Sequence, residues 1–444
     1  MTDEPGQQSP DGELEPEVFD ALDAPRDGIP DVVNDAAGLA SVIEAVAAGA
    51  GPVAIDAERA SGYRYGQDAY LVQLRREGSG THLIDPVGCP DLSELGDALV
   101  DVEWVLHAAT QDIPCLADLG MRPRLLFDTE LGARLAGLPR AGLSSVLEYY
   151  LGVSLAKEHS AVDWSTRPLP TPWLLYAALD VELLVPLRHR MARDLEEQGK
   201  MEWAQQEFAA LTAFTGPKAK IDPWRRVSGS SKLRNRRAVA TLEALWTVRE
   251  DIAKARDVSP GRIVPDSTLL DLAIRAPRDA SGMSNPRPEK SPSRQRRAQQ
   301  GLRRHQSAWL QAISEASHAP EEELPALRLA AEGLPPPRAW ADRNPEAAAR
   351  LGAAKPLMLE LSRRHDIPVE NLVTPDVLRH VLWEPPDPPD TDAVKAALAR
   401  HGARAWQCEL VAPVVQEAVT QALTPALEQS VEDPSSPAAS TDAP

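Results

Sequence analysis

Five side chains with chemistry to offer interrupt otherwise apolar text: Asp56 and Glu58 in "VAIDAE", Asp112 in "LHAATQD", and Tyr176 and Asp180 in "WLLYAALDVELLVPL". Tyr176 and Asp180 are four residues apart, so on a helix they share a face. Along a strand, Ala54, Asp56 and Glu58 face one way and Val53, Ile55 and Ala57 the other. Neighbouring acids repel unless a cation lies between them. Next to an apolar core, each needs a hydrogen bond, a cationic partner or a metal. Asp112 lies just past a strand, where an acid taken alone is usually a helix cap or macrodipole partner. Gathered together, such acids would offer oxygen ligands to hard divalent cations, Mg²⁺ above all. Two such ions ~3.5–4 Å apart activate a water and stabilise the leaving oxygen of a phosphodiester. A nearby phenol would hold or deprotonate that water. Spacing alone does not bring these acids to one place.

The elements that must position them can be read from pattern. "DAAGLASVIEAVAAGA" has the period of an amphipathic helix, and "GPVAIDAE" follows as a strand. "AYLVQLRR" and "THLIDP", with the turn-rich "EGSG" between them, predict a hairpin. "EWVLHA" is a further strand, and from there to about residue 212 the pattern is mostly helical. Thr171 is the expected N-cap of the helix carrying Tyr176, with Pro172 at its first position. Strands first and helices after predict an α/β domain with a mixed sheet. The chain then turns all-helical and repeats itself. "RDVSPGRIVPDSTLLDLAI" (256–274) aligns without gaps to "HDIPVENLVTPDVLRHVLW" (365–383), Asp257 falling on Asp366 at an offset of 109. Two equivalent small helical domains are expected, with a linker around "EGLPPPRAW".

At 444 residues, 43% hydrophobic and 25% charged, the chain is an ordinary soluble composition of more than one domain. Cys89, Cys115 and Cys408 are too scattered for a zinc ribbon or a disulfide framework, which suits a reducing cytosol. No run approaches the ~18 apolar residues of a membrane helix, and the acidic start is unlike a secretory leader, so a cytoplasmic protein is expected. The net charge of −19 argues against a nucleic-acid partner only if it is evenly spread. Much of the acid lies in the two ends, 1–30 and 425–444, expected to be disordered. Basic residues instead cluster at 218–237 (Arg225, Arg226, Lys232, Arg234, Arg236 and Arg237) and at 287–305 (Arg296 and Arg297). These are candidate nucleic-acid contacts or, equally, solvated linker. "GAG" at Gly49–Gly51 precedes its strand and so is no dinucleotide loop, and neither a nucleophile elbow nor a Walker lysine motif occurs.

The ordered motifs "AIDAE", "LHAATQD" and "YAALD" resemble those of the DEDD family of 3′→5′ exonucleases, ribonuclease D in particular. "LVQL", "HLIDP", "DTELGARL" and "DWSTRPL" come in that family's order between them. The resemblance covers roughly 31–212 and belongs to the tyrosine branch, since Tyr176 stands four before Asp180. It implies a ribonuclease H-like α/β domain, a mixed sheet flanked by helices, followed by two small all-α HRDC-like domains. It also implies two divalent ions, Mg²⁺ or Mn²⁺. Asp56 would bridge them, Glu58 and Asp180 would complete one site, Asp112 would hold the second, and Tyr176 would position the nucleophile. Arg59 replaces the family's usual apolar residue and would touch the terminal nucleotide. Lys157 is a further candidate for substrate phosphate, while an isolated strand-end histidine such as His107 is more often structural. The expected boundaries are a disordered leader 1–30, exonuclease domain 31–212, basic linker 213–230, first HRDC domain 231–316, Pro-rich linker 317–345, diverged second copy 346–424 and acidic tail 425–444. The expected activity is 3′-end trimming of tRNA or other structured RNA to nucleoside 5′-monophosphates. A DNA exonuclease and a catalytically weak RNA-binding protein are the alternatives.

Overall fold

The computed structural model describes residues 20–155, 162–284, 287–289, 291–329 and 333–431. Short β1 (Asp20–Leu22) pairs in parallel with β8 (Val153–Leu155), apart from the main sheet. That sheet runs β2 (Val32–Val33), β5 (Gly80–Ile84), β4 (Ala69–Glu77), β3 (Ala50–Arg59), β6 (Glu103–Leu106), β7 (Leu125–Asp128). β3 pairs antiparallel with β4 and parallel with β6, so the sheet is mixed, as expected. The predicted hairpin is β4–β5, turned through Gly78 (φ 82°) and Gly80 (φ 81°), where only glycine is unstrained.

β3 obeys the strand period. Val53, Ile55 and Ala57 join the core beneath α1 (Ala36–Ala48), α2 (Ser93–Ala98) and α3 (Ile113–Asp118). Ala54 packs on the opposite face with Val105 and Phe127. That second face is covered by α4 (Thr129–Leu135), α5 (Leu143–Leu151), α6 (Thr171–Glu182), α7 (Leu184–Glu197) and α8 (Met201–Thr212). α6 starts one residue earlier than expected. Pro170 is its N-cap and the Thr171 side chain makes no cap bond, since Thr171 is already helical.

The first helical module holds α9 (Arg236–Ala255), α10 (Pro260–Ile263), α11 (Asp266–Arg275), α12 (Ala280–Met283), α13 (Pro292–Arg304) and α14 (Gln306–His318). The second holds α15 (Trp340–Arg343), α16 (Pro345–His365), α17 (Val369–Leu372), α18 (Pro375–Trp383), α19 (Thr391–Arg400) and α20 (Ala405–Val431). The sequence repeat is a structural one. Asn235 and Asn344 cap α9 and α16 through the Ala238 and Ala347 amides, and α10 and α11 recur as α17 and α18. Asp257 (φ 46°) and Asp366 (φ 49°) make the same left-handed turn.

Four expected boundaries shift. The leader is ordered from Asp20: Arg26 pairs with Glu182 (3.7 Å) and Asp27 with Arg75 (2.8 Å), while residues 1–19 lie outside the described part. The 213–230 linker already belongs to the first module, because Trp224 and Val227 are buried in its core. The 317–345 linker is divided between the modules: Leu324 packs on Ala240 and Ala316, whereas Trp340 is wholly buried in the second module's core. Of the tail, α20 continues through Val431, and 432–444 lie outside the described residues. Cys89, Cys115 and Cys408 are free and buried. Among the described residues no helix is long and apolar enough to cross a membrane.

Candidate active site

The three acid-bearing motifs meet in a cleft of about 330 Å³ lined by Asp56, Glu58, Arg59, Asp112, Tyr176 and Asp180, with Ser61, His107 and Gln111 at its walls. β3 presents Asp56 and Glu58 on one face, two residues apart. α6 lies across β3, β4 and β5 and buries Ala177, Ala178, Leu179 and Val181. Its remaining face turns Tyr176 and Asp180 to the acids, and the Tyr176 hydroxyl is hydrogen-bonded to Asp180. One ligand oxygen each from Asp56, Glu58 and Asp180 lies within 4.8 Å of the other two.

Asp112 stands at the start of α3 but its side chain caps nothing. It hydrogen-bonds to Asp56 instead, which rejects the helix-cap reading of that residue. Asp128 does the capping here. It accepts from the Glu130 and Leu131 amides of α4 and from the Ala108 and Ala109 amides (3.1 and 2.9 Å), fixing the turn from β6 into Asp112. That turn includes Ala108 at φ 60°.

Two further residues hold the frame. Gln73 faces Asp56 across β4, is fully buried, and donates from Nε2 to Asp56 Oδ2 (2.9 Å). Arg167 clasps Asp85 through two 2.6 Å bonds and donates to the Trp164, Thr166 and Tyr70 carbonyls (2.8 Å each). It thereby ties the segment leading into α6 to the end of β5. Neither residue was singled out from sequence. A glutamine inside the apolar "AYLVQLRR" strand was the available signal, because a buried amide demands a partner.

The electrostatics are those of an uncompensated acid cluster. Burial pushes the Asp56 carboxyl up to about 6, against the Ala57 amide and Arg59, which favour its charge. Burial and then the three facing acids push Glu58 up to about 10. Asp112 and Asp180 sit well above the usual carboxylate range, through burial first and Asp56 second. Burial and Asp180 raise the Tyr176 phenol, which is therefore neutral near pH 7. His107 is driven down to about 4 by burial and bonds Thr129 Oγ1 through Nδ1 (2.9 Å), so it is a neutral structural group at the cleft wall. Among the described residues Arg59 is the one cationic side chain lining the cleft. Four acids against one guanidinium suit a divalent cation: two oxygen bonds of ~2.1 Å span up to ~4.2 Å, close to the 4.8 Å within which oxygens of Asp56, Glu58 and Asp180 lie.

Of the expected polymer contacts, Arg59 lines the cleft and Lys157 lies outside the described residues. Arg225, Arg236 and Arg237 make hydrogen bonds within the fold. Arg225 bonds Asp222 and the Ala326 carbonyl, Arg236 the Leu324 and Pro325 carbonyls, and Arg237 the Ala316, Ser317 and Ala319 carbonyls plus Glu321. They staple residues 316–326 onto the first module. Arg226, Lys232, Arg234 and Arg296 are exposed, and Arg297 is half-buried.

Comparison with known proteins agrees with this geometry. Residues 30–196 match a family described as 3′-5′ exonuclease, 239–305 match the HRDC domain, and 333–419 match a 3′ to 5′ exonuclease C-terminal domain. Ribonuclease D of Granulibacter bethesdensis is 30% identical over 308 residues, 67% of this chain and 73% of that protein. Other ribonuclease D relatives at 33–34% identity are matched over 59–65% of their own length. A Bifidobacterium adolescentis protein of known structure is 37% identical with a TM-score of 0.81, covering 91% of this chain and 100% of that one. The structure of Escherichia coli RNase D, described as an exoribonuclease involved in structured RNA processing, gives 26% identity and a TM-score of 0.62, over 88% of this chain and 98% of that one.

Proposed function

Because the chain belongs to the ribonuclease D family, we propose that it is a metal-dependent 3′→5′ exonuclease that trims RNA from the 3′ end and releases nucleoside 5′-monophosphates in the cytoplasm. The observation that carries this reading is the convergence of four carboxyls and one phenol on a cleft in which, among the described residues, Arg59 is the one guanidinium. Asp56, Glu58 and Asp180 would hold one divalent ion, and Asp112, reaching Asp56, would hold a second. When bound, Mg²⁺ or Mn²⁺ would lower the barrier by polarising water and neutralising charge on the phosphate.

The chain's own groups do the rest. Gln73 fixes the orientation of Asp56 by its amide bond to Oδ2. Tyr176, neutral and bonded to Asp180, would align the attacking water and would not deprotonate it. Water adds to the terminal phosphorus, the bond to the 3′ oxygen of the preceding nucleotide breaks, and that oxygen leaves as a new 3′ hydroxyl. Arg59, at the open end of β3, donates to the phosphate of the departing nucleotide.

The test is a digest of 3′- and 5′-labelled single-stranded RNA, with matched DNA, with and without Mn²⁺. A ladder shortening from the 3′ end only with metal is expected, and Asp56→Asn should abolish it while leaving the thermal transition in place. Shortening from the 5′ end, or an Asp56→Asn variant as active as wild type, overturns the reading.

A further inference from the structure

α6 ends on an acid. Glu182 is its last residue and its side chain is 1% exposed, although a carboxylate at a helix C-terminus adds to the negative pole of the macrodipole. Among the described residues neither carboxylate oxygen of Glu182 receives a hydrogen bond. Its charge is met by two guanidinium groups instead, with Arg75 Nη1 at 3.3 Å and Arg26 Nε at 3.7 Å. A buried ion pair of this kind seldom stabilises a fold more than apolar residues of the same size would.

One turn closes the circuit. The Gly28 amide donates to the Pro25 carbonyl (3.1 Å), with Gly28 at φ 77°, which places Arg26 and Asp27 at the two central positions. Arg26 meets Glu182, and Asp27 accepts from Arg75 Nη1 (2.8 Å). Charges thus alternate around a ring, Arg26, Glu182, Arg75 and Asp27, whose two ends are neighbours in the chain. Arg75 is anchored to the sheet as well, donating to Thr81 Oγ1 of β5 (2.7 Å). β4 presents Leu71, Gln73 and Arg75 on the face of the sheet that carries Asp56, since Gln73 stands opposite Asp56. Along that face Leu71 packs in one cluster with Ala177 of α6, Gln73 holds Asp56, and Arg75 holds Glu182. One strand therefore sets both the first acid and the helix that brings Tyr176 and Asp180 to it.

We propose that Arg75 and Glu182, braced by the Arg26–Asp27 turn, are positioning residues for the reaction. They fix the slide of α6 along β4, and with it the placement of Asp180 and Tyr176 over Asp56. Asp180 and Tyr176 lie about 3 Å and about 9 Å from Glu182 along a rigid helix axis, at ~1.5 Å per residue. Arg167 fastens the segment before α6, and Glu182 fastens the end just past Asp180. A reacting group displaced by about 1 Å can slow catalysis about a hundredfold. The catalytic consequence rests on the nuclease reading above; the placement of α6 does not.

The experiment compares full-length variants, well below each melting midpoint, for turnover of labelled single-stranded RNA with Mn²⁺ and for Mn²⁺ affinity by calorimetry without RNA. Arg75→Gln and Glu182→Gln should each lower kcat about tenfold with KM within about twofold, and weaken Mn²⁺ binding about threefold or more. The double variant should lose no more than either single one, because the two groups act as a pair. Arg75→Lys, which keeps the charge, should recover kcat to within about threefold of wild type. Arg26→Gln/Asp27→Asn changes two side chains that are 69% and 60% exposed, so it tests the brace with little risk to folding. Its kcat should fall about twofold to threefold. Wild-type kcat and Mn²⁺ affinity in Arg75→Gln and in Arg26→Gln/Asp27→Asn overturn the proposal whatever the melting temperatures, since a pair that only stabilises the fold leaves folded molecules fully active. A wild-type chain that binds Mn²⁺ but hydrolyses no RNA would sink the nuclease reading. Weaker Mn²⁺ binding by Arg75→Gln would then still show α6 to be held by the pair.

Discussion

Asp257 and Asp366 occupy the same turn of the two helical modules, and both lie against the exonuclease domain. Asp257 receives the Tyr65 amide and an Arg64 Nη (3.2 Å each) at a site open to solvent, and the Ser259 amide adds a bond to the Tyr63 carbonyl. Asp366 instead presses its backbone on Gly137, where an added Cβ would come within 2.7 Å of its carbonyl oxygen. Around it Trp406 stacks on Trp203 (5.2 Å, 14° between rings) and donates from Nε1 to Glu207 (2.9 Å). One apolar cluster runs from Ala54 and Phe127 of the sheet through Trp340 to Val419. Arg256 and Arg262 of the first module correspond to His365 and Asn371 in the second, and His365 there meets Trp203. The same face of the repeat is thus sealed against α8 in one copy and left open and basic in the other. Apolar burial makes a permanent joint, while exposed polar contacts hold position at little cost in stability.

The contrast breaks most easily at Trp406. Trp406→Ala should cost about 3–5 kcal/mol in urea denaturation and unfold exonuclease domain and second module in a single transition. A separate transition with the exonuclease domain intact would show the joint to be no joint. Next in size is the metal response. The site carboxyls have raised pKa values in the metal-free fold, so their contribution to stability is complete below pH ~4, where the unfolded acids are also protonated, and is lost as pH rises through about 6 for Asp56 towards about 10 for Glu58. Divalent ions compete with those protons, so saturating Mn²⁺ should raise the melting temperature of the fused body more at pH 8 than at pH 5.5. At a hundredfold excess over its Kd the stabilisation is about 2.7 kcal/mol. Hydrogen exchange in the first module should hardly respond, and an equal response there would erase the distinction. Gly137→Ala, forced to φ 88° against Asp366, should cost about 1–2 kcal/mol or more, read as a lower urea midpoint. Smallest is Asp257→Ala, expected to cost under about 1 kcal/mol while speeding amide exchange at Tyr65. A loss of several kcal/mol would place the first module in the same cooperative unit as the second.

The acids and Tyr176 were legible in the sequence because each sits in a short local pattern of strand or helix. The 109-residue repeat was legible because its apolar positions coincide, and the shared cap and turn residues bear it out. What escaped depends on partners distant in sequence. Gln73 matters because β4 pairs with β3 in one register, and Asp128 because its oxygens meet amides 19 and 20 residues earlier. The basic runs were only partly legible for a related reason: a count of charges cannot tell that Arg236 and Arg237 donate to carbonyls near 316–325.

The turn that seats the first module follows directly from the strand that carries Asp56 and Glu58, with only Arg59 and Ala60 before Ser61. Any rocking of that module about its polar seat therefore pivots beside the reacting bond. Like a lever held near its fulcrum, it would move the far side of the module widely and the side beside Ser61 hardly at all.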